Sequence, residues 1–168
     1  GPLGGLPGYD GAVQALAGNM SVNGTQESGP MRVGMPLVDM TTGLNAALAI
    51  AMALVERGKS GLGQKLDVCL YDCAISMLHP HVPNALLVGE RPTLTGNAHP
   101  NISPYDLYRT GNGGLFLAVG NNGQFAKLCE VVGAPEIAKR PDYASNVLRV
   151  KNRDALKVDL EAAMGRFE

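Results

Sequence analysis

The chain has 168 residues, with 14 Lys and Arg residues against 15 Asp and Glu residues and a formal net charge of −1 at pH 7. Hydrophobic residues make up 45% of the sequence and charged residues 17%, a composition that excludes a disordered tail or a basic nucleic-acid-binding arm. Because the charges are balanced and form no run of one sign, neither a nucleic acid nor an anionic membrane is expected as a partner.

The start of the chain is predicted to be a loop, a short helix and a connection. Residues 1–12 are rich in glycine and proline and predict a loop. Apolar side chains spaced by three and four residues predict a helix over residues 12–20. Residues 21–36 are polar and again contain Gly and Pro, which predicts a connection to the next element.

The most apolar stretch predicts a long helix from about Met40 to Arg57, which Gly58 ends. Small residues on nearly all of its faces predict a core helix that is packed on several sides. Residues 37–55 include the charged Asp39 and polar Thr and Asn side chains, so they are shorter and more polar than the roughly 20 apolar residues of a membrane span. We therefore expect a buried helix.

The next segment predicts an α/β arrangement. Side chains alternate in character from Lys65 to Tyr71, which predicts a strand, and apolar residues from Cys73 to Leu78 predict a short helix. A helix, a strand and a helix in succession are typical of an α/β layer with a parallel sheet.

The chain changes character near residue 90, where a loop is predicted over residues 91–104. Two strand-like runs, Tyr105–Thr110 and Leu115–Val119, flank a glycine-rich turn and predict a hairpin. A helix is predicted over residues 124–132, and a last one begins near Asn152 as its cap, with an apolar stripe of Leu156, Leu160 and Met164. The map is thus an α/β portion over residues 1–78, a linker over residues 79–95 and a small α+β portion over residues 96–168.

Asp39 is the first candidate functional residue, since no other charged residue lies between Gly34 and Val55. At the start of a helix its carboxylate is expected to cap the first backbone amides. The same position also suits a reactive carboxylate, because helix amides favour its ionised form and apolar neighbours limit its hydration. Local sequence favours the cap and leaves the chemical role open.

The second candidate is the segment Gly120-Asn121-Asn122-Gly123-Gln124, between a predicted strand and a predicted helix. Two glycines allow backbone amides to approach a ligand closely, and Asn and Gln side chains can donate to an acyl oxygen. Local sequence favours a plain strand-to-helix turn and leaves the ligand-binding role open.

The histidines and cysteines predict no metal site and no disulfide framework. His79 and His81 flank Pro80 with no carboxylate or cysteine at a familiar ligand spacing. The three cysteines form neither an even set nor a Cys-x-x-Cys pair, so we expect reduced thiols in a cytoplasmic protein.

Several spaced motifs together resemble one known family. They are Pro7-Gly8-Tyr9-Asp10 with Gln14-Ala15, Gly29-Pro30-Met31-Arg32-Val33-Gly34, Pro36-x-x-Asp39-x-x-Thr42-Gly43-Leu44, Arg57 to Gln64, Tyr71-Asp72, Gly96-Asn97-Ala98-His99-Pro100 and Tyr105-Asp106-x-Tyr108-Arg109-Thr110. The sequence resembles the family III CoA-transferases, which include formyl-CoA transferase, carnitine CoA-transferase and the bile-acid-inducible protein. Because members of this family are roughly twice as long or more, the chain is expected to be the central portion of such a protein.

The resemblance implies a reaction and a set of site residues. Asp39 matches the aspartate whose carboxylate attacks an acyl-CoA thioester, forms an anhydride and then an aspartyl-CoA thioester, and passes CoA to an acceptor carboxylate. Tyr9 and Asp10 correspond to neighbours of this nucleophile, and Leu70 to a residue near the thiol end of CoA. The residues Gly120, Asn121, Asn122, Gly123 and Gln124 match the glycine-rich loop that closes over the intermediate, with Asn121 and Asn122 where some members have glycine.

The resemblance also implies a fold and an assembly. Residues 1–78 would end a large nucleotide-binding-type α/β domain, followed by the linker and by an incomplete small α+β domain. The substrates would be an acyl-CoA and a small carboxylic acid, with no metal and no other cofactor, and the protein would be a cytoplasmic homodimer of interlocked chains.

Two alternatives remain open. The α-methylacyl-CoA racemase branch also uses an aspartate at the Asp39 position but pairs it with a histidine, so that two bases exchange a proton at the α-carbon. Tyr9 stands where that histidine is expected, and tyrosine is a poor base near neutral pH. The other alternative is a truncated, non-catalytic fragment that only associates with a partner chain.

Overall fold

The fold consists of two units, which a computed structural model describes over Gly5 and residues 7–167. The first unit ends at Gly96 and the second begins at Asn97. Part of the loop predicted over residues 1–12 lies outside the described residues, and the domain and linker boundaries at residues 78 and 95 stay predictions.

The first unit is mostly helical. Its elements are α1 (Asp10–Leu16), a 3₁₀ turn (Asn19–Val22), the short antiparallel strands β1 (Gly24–Thr25) and β2 (Gly29–Pro30), α2 (Leu37–Ser60), α3 (Leu70–Ser76), the single turn α4 (His81–Pro83) and a π-helical turn (Asn84–Val88). Val13, Val38 and Ala74 form its small buried cluster, where α1, the start of α2 and α3 meet.

The long helix α2 confirms the predicted element and extends it at both ends. It closes at Gly61, whose φ of 73° lies in the left-handed region and whose amide donates to the carbonyl of Arg57 at 2.8 Å. Glycine adopts this conformation without the penalty that a Cβ imposes, so the helix ends here rather than at Gly58.

The prediction of a core helix is wrong for the described chain. Val38 is the one buried residue of α2, whereas Leu44 and Leu48 are 72% and 59% exposed. The contacts with α1 and α3 cover one part of this helix and leave most of its large apolar side chains exposed. The helix is also longer than we predicted, so that its length and composition alone would suit a membrane span as well as the core of a soluble protein.

The predicted strand over residues 65–71 is also not observed. Leu70 and Tyr71 already belong to α3, and residues 61–69 form neither helix nor strand. A strand is defined by hydrogen bonds to a neighbour, and the described residues contain only two antiparallel two-stranded sheets. They therefore form a mixed helix and sheet fold without the parallel sheet that we expected.

The second unit packs helices against a hairpin. Strand β3 (Tyr105–Arg109) pairs with β4 (Gly114–Ala118), as predicted, so that Tyr108 lies opposite Leu115. The helices are α5 (Asn122–Val131), α6 (Asn146–Lys151) and α7 (Arg153–Met164), with 3₁₀ turns at Ile137–Lys139 and Pro141–Tyr143.

The core of this unit contains the stripe that the sequence predicted on α7. Leu156, Leu160 and Met164 are at most 1% exposed and pack with Tyr108, Phe125, Cys129 and Tyr143. Burial of each large aliphatic side chain contributes about 1.5–3 kcal/mol. Asn152 lies at the N-cap position of α7, but its amide donates to the carbonyls of Asp142 and Leu148, so its side chain does not cap this helix.

Candidate functional site

Asp39 lies in the first turn of α2, where it is the third residue of the helix. It is exposed, and its carboxylate forms no hydrogen bond with any residue that the structure describes. The capping role that local sequence favoured is therefore wrong, because Pro36 precedes the helix and no side chain of this segment accepts from its first amides.

A different carboxylate caps α2. The Oδ2 atom of Asp10 accepts from the backbone amides of Val38 at 2.8 Å and Asp39 at 3.2 Å. Asp10 belongs to α1 and is only 9% exposed. Buried charges are tolerated when they are hydrogen-bonded, and here the positive end of the α2 dipole supplies the donors. The backbone of Asp39 is thus fixed directly by Asp10.

Gln14 completes this polar cluster and was not among the predicted site residues. Its amide nitrogen donates to Oδ1 of Asp10 at 2.6 Å, and its Oε1 accepts from the backbone amide of Val33 at 2.9 Å. Gln14 is fully buried, so both of its polar ends need these partners. The spacing of four residues from Asp10 on a helix was the available signal.

Thr42 and Asn45, two further polar residues on α2, were also not among the predicted site residues. The Thr42 hydroxyl donates to the carbonyl of Val38 at 2.7 Å, one turn earlier. The Asn45 amide lies 3.3 Å from Sγ of Cys73 and so joins α2 to α3. These contacts fix the first turns of the helix that carries Asp39.

Leu70 packs against the buried cluster of the first unit, whereas Tyr9 is exposed. Leu70 is half-buried and packs against Val13, Val38 and Ala74. Tyr9 precedes α1, and its carbonyl accepts from Val13 while its side chain is 77% exposed. The structure therefore brings Asp10, Asp39 and Leu70 into one packed region and leaves the Tyr9 ring accessible beside Asp10.

In the second unit, Gly120 to Gln124 form a strand-to-helix turn that is closed by its own side chains. Oδ1 of Asn121 accepts from the backbone amide of Gln124 at 2.9 Å and caps α5. Oε1 of Gln124 in turn accepts from the amide of Gly120 at 2.8 Å. Asn122 uses its Oδ1 to accept from Arg149 at 3.0 Å. The first helical amides, at Asn122 and Gly123, have no partner within the helix.

Metal-binding groups are not clustered in the part of the chain that the structure describes. No three His, Cys, Asp or Glu side chains lie close enough there to hold an ion. Burial lowers the pKa of His81 below its usual value. The chemistry available at this site is that of carboxylates, amides and backbone donors.

Two solved structures have folds similar to that of this chain. A CAIB/BAIF family protein from Brucella suis is 38% identical, with a TM-score of 0.76 over 100% of this chain and 44% of that one. A protein from Mycobacterium tuberculosis is 28% identical, with a TM-score of 0.82 over 98% of this chain and 43% of that one. The mixed helix and sheet fold of this chain is thus similar to that of a CAIB/BAIF family protein.

The sequence matches the CoA-transferase family III over residues 1–167. The succinate–glutarate CoA-transferase of Agrobacterium fabrum is 42% identical over 91% of this chain and 38% of its own length. The acetyl-CoA:oxalate CoA-transferase of Acetobacter aceti is 36% identical over 99% of this chain and 43% of its own length. The chain therefore belongs to the CoA-transferase family III, as its motifs predicted, and spans about two fifths of the length of these relatives.

Proposed function

We propose that the protein carrying this chain transfers CoA from an acyl-CoA thioester to a carboxylic acid, with Asp39 as the nucleophile. The observation that carries the proposal is the free Asp39 carboxylate in the first turn of α2, whose backbone amide Asp10 holds. Membership of the family supports the reaction class, because the relatives that match are themselves CoA-transferases.

The first half of the proposed reaction moves CoA onto the protein. An Asp39 oxygen attacks the thioester carbon, the carbon–sulfur bond breaks, and CoA leaves as a thiolate, which produces an acyl–aspartyl anhydride. The thiolate then attacks the aspartyl carbonyl, releases the donor acid and forms an aspartyl-CoA thioester. A carboxylate is a weak nucleophile, so this chemistry depends on fixed geometry.

The second half repeats these steps with the acceptor. The acceptor carboxylate attacks the aspartyl thioester and displaces the CoA thiolate, which then attacks the acceptor carbonyl of the new anhydride. The acyl-CoA product leaves and the Asp39 carboxylate is regenerated. No net proton, electron or water enters, so the substrates alone balance the reaction.

The two carboxylates have different proposed roles. Asp10 occupies the amides of Val38 and Asp39, so these amides serve as the anchor of the helix and not as donors to a developing oxyanion. Its own two oxygens are engaged by backbone and Gln14, which leaves Asp39 as the carboxylate of this region that can attack. Asp10 is therefore a positioning residue.

CoA-binding roles for Tyr9, Leu70 and the segment Gly120 to Gln124 are proposals that rest on the family pattern. The half-buried Leu70 offers an apolar contact, and the exposed Tyr9 ring offers a surface beside Asp10. The Asn122 and Gly123 amides offer donors to an acyl oxygen. A cytoplasmic homodimer that needs no metal or additional cofactor is likewise proposed.

The names of the relatives suggest a substrate class. They include transferases for succinate and glutarate, for oxalate and for mesaconate. All of these acids carry two carboxyl groups. We therefore propose a short dicarboxylic acid as acceptor or donor acid.

A transfer assay with the full-length protein tests this proposal. With succinyl-CoA as donor and glutarate or oxalate as acceptor, the Asp39→Asn variant is expected to lose transfer by about a thousandfold or more, the scale seen when a nucleophile is removed. Asp67→Asn is the matched control, because Asp67 is another exposed aspartate of the same unit. Full transfer by the Asp39→Asn variant would contradict the proposal, and preference for a monocarboxylic acid would contradict the substrate class.

A further inference from the structure

Arg149 is a buried cation without a counter-ion in the second unit. Its side chain, on α6, is fully buried, and no described carboxylate forms an ion pair with it. Its Nη2 atom has no hydrogen-bond partner among the described residues. Burial accordingly lowers the pKa of this guanidinium below its usual value. An apolar side chain of similar volume would avoid this desolvation penalty.

The contacts of Arg149 join three separate segments of the unit. Nε donates to the carbonyl of Ser103 at 2.8 Å, just before β3. Nη1 donates to the carbonyl of Tyr143 at 3.0 Å and to Oδ1 of Asn122 at 3.0 Å. The guanidinium carbon also lies 4.6 Å from the centre of the Phe125 ring, a cation–π geometry. Two of these partners, Asn122 and Phe125, belong to the first turn of α5.

The hydrogen bond from Arg149 to Asn122 reaches a turn whose other polar side chains bond only to backbone amides of the turn itself. Asn121 and Gln124 bond to backbone amides within the turn itself. Asn122 is thus the residue of Gly120 to Gln124 whose side chain is tied by a charge-assisted bond to a distant element, α6. Without the guanidinium, the hydrogen bonds within the turn would remain, but the turn would no longer be bonded to α6.

We propose that Arg149 is a positioning residue that holds the segment Gly120 to Gln124 in the geometry needed for CoA transfer. This inference rests on the proposed function, in which the segment contributes to binding of the acyl-CoA. A displaced segment would bind the acyl-CoA less firmly and let water compete with CoA and with the acceptor for the anhydride and the aspartyl-CoA thioester. Water that attacks the anhydride releases the donor acid, water that attacks the aspartyl carbonyl of the thioester releases free CoA, and each reaction regenerates the Asp39 carboxylate.

Three variants of the full-length protein test the inference. Arg149→Met removes the donors but keeps an apolar side chain, and Asn122→Ala breaks the same bond from the exposed side, where unfolding is not expected. Arg153→Met is the matched control, because Arg153 also donates to backbone carbonyls, at His99 and Pro100, without contacting the segment.

Two measurements are made on each variant. Amide hydrogen exchange is followed at Gly120, Gln124 and Phe125, whose amides are all bonded within the turn. It is expected to accelerate about tenfold in Arg149→Met and Asn122→Ala, the effect of losing one charge-assisted hydrogen bond. The ratio of acyl-CoA hydrolysis to CoA transfer is expected to rise by a similar factor in both, and to stay unchanged in Arg153→Met.

The outcomes separate the two proposals. If exchange and the hydrolysis ratio are unchanged in Asn122→Ala, or rise equally in Arg153→Met, the positioning role of Arg149 is overturned, even where Arg149→Met does not fold. If the unaltered protein transfers no CoA, the proposed function is wrong, and so is the role of Arg149 in CoA transfer. The exchange result then still decides whether Arg149 holds the segment.

Discussion

Asp10 and Asp39 both lie at the start of α2, and it is Asp10 that caps the helix. Asp10 accepts from the α2 amides, while Asp39 lies within the first turn and its carboxylate bonds to no described residue. The sequence did not reveal this cap, because the capping residue lies 28 residues before Val38 and belongs to another helix. From local sequence alone, Asp39 was predicted as the cap because it lies at the start of the helix.

Replacement of Asp10 is expected to destabilise the protein. Asp10→Ala leaves the Val38 and Asp39 amides and the Gln14 amide without their acceptor, which should lower the free energy of unfolding by about 1–3 kcal/mol. Urea unfolding of the full-length protein measures this loss. Asp67→Ala is the control, because Asp67 forms only an exposed ion pair with Lys65. Equal unfolding midpoints for Asp10→Ala and the unaltered protein would contradict the capping role.

Tyr143 gives the protein a stability that depends on alkaline pH. Its hydroxyl donates to Oδ2 of Asp159 at 2.5 Å, and Arg140 bonds to the same oxygen. Burial, with the Asp159 contact and charge, raises the pKa of Tyr143 to about 12. The folded state therefore keeps this proton at pH values where the unfolded chain, with a pKa near 10, has lost it. The contribution is complete below pH 10 and falls as the pH rises toward 12.

Tyr143→Phe should therefore flatten this part of the stability curve. We expect a smaller decrease of the unfolding free energy between pH 10 and pH 12 than in the unaltered protein, because the variant has no phenol to titrate. Denaturant unfolding at several alkaline pH values measures the slope. The exposed Tyr71 provides the control variant Tyr71→Phe. Parallel curves for Tyr143→Phe and the unaltered protein would refute this assignment.

At the scale of elements, local signals predicted the second unit well. The glycine turn between β3 and β4 and the apolar stripe of α7 are confirmed, since both depend on residues close in sequence. The strand predicted over residues 65–71 was wrong, because alternation describes the faces of a strand and says nothing of a hydrogen-bonding neighbour. The prediction that α2 is buried was wrong for a similar reason: composition predicts an apolar surface but does not show which residues cover it.

The stripe on α7 makes a quantitative prediction for this element. Leu160 is fully buried against the core of the second unit, whereas Val158, on the same helix, is 67% exposed. Leu160→Ala is expected to lower the unfolding free energy by about 2–5 kcal/mol, since it leaves a cavity. Val158→Ala should change it by less than about 0.5 kcal/mol. Thermal or urea unfolding compares the two, and similar losses would show that α7 does not pack as described.

At the scale of the whole molecule, the proposed nucleophile Asp39 and the segment Gly120 to Gln124 lie in two separate units. Both assignments are proposals from family motifs, in a chain that spans about two fifths of the length of its relatives. The local contacts within each unit could not be recognised in this way. The Asp10 bond to Asp39 and the Arg149 bond to Asn122 join residues 29 and 27 positions apart.

The proposed transfer of CoA requires a covalent bond to Asp39. An acyl–aspartyl anhydride or an aspartyl-CoA thioester reacts with hydroxylamine, which leaves a hydroxamate on the aspartate. The most direct measurement is therefore peptide mapping by mass spectrometry, after the full-length protein has been incubated with succinyl-CoA and quenched with hydroxylamine. Omission of the acyl-CoA is the control.

We predict a hydroxamate on Asp39 that forms only in the presence of the acyl-CoA. Asp10 and Asp67 should remain unmodified, because Asp10 is buried and hydrogen-bonded and Asp67 is paired with Lys65 at the surface. A protein that transfers CoA while its hydroxamate forms on another residue, or forms nowhere, would contradict the assignment of Asp39 as the nucleophile.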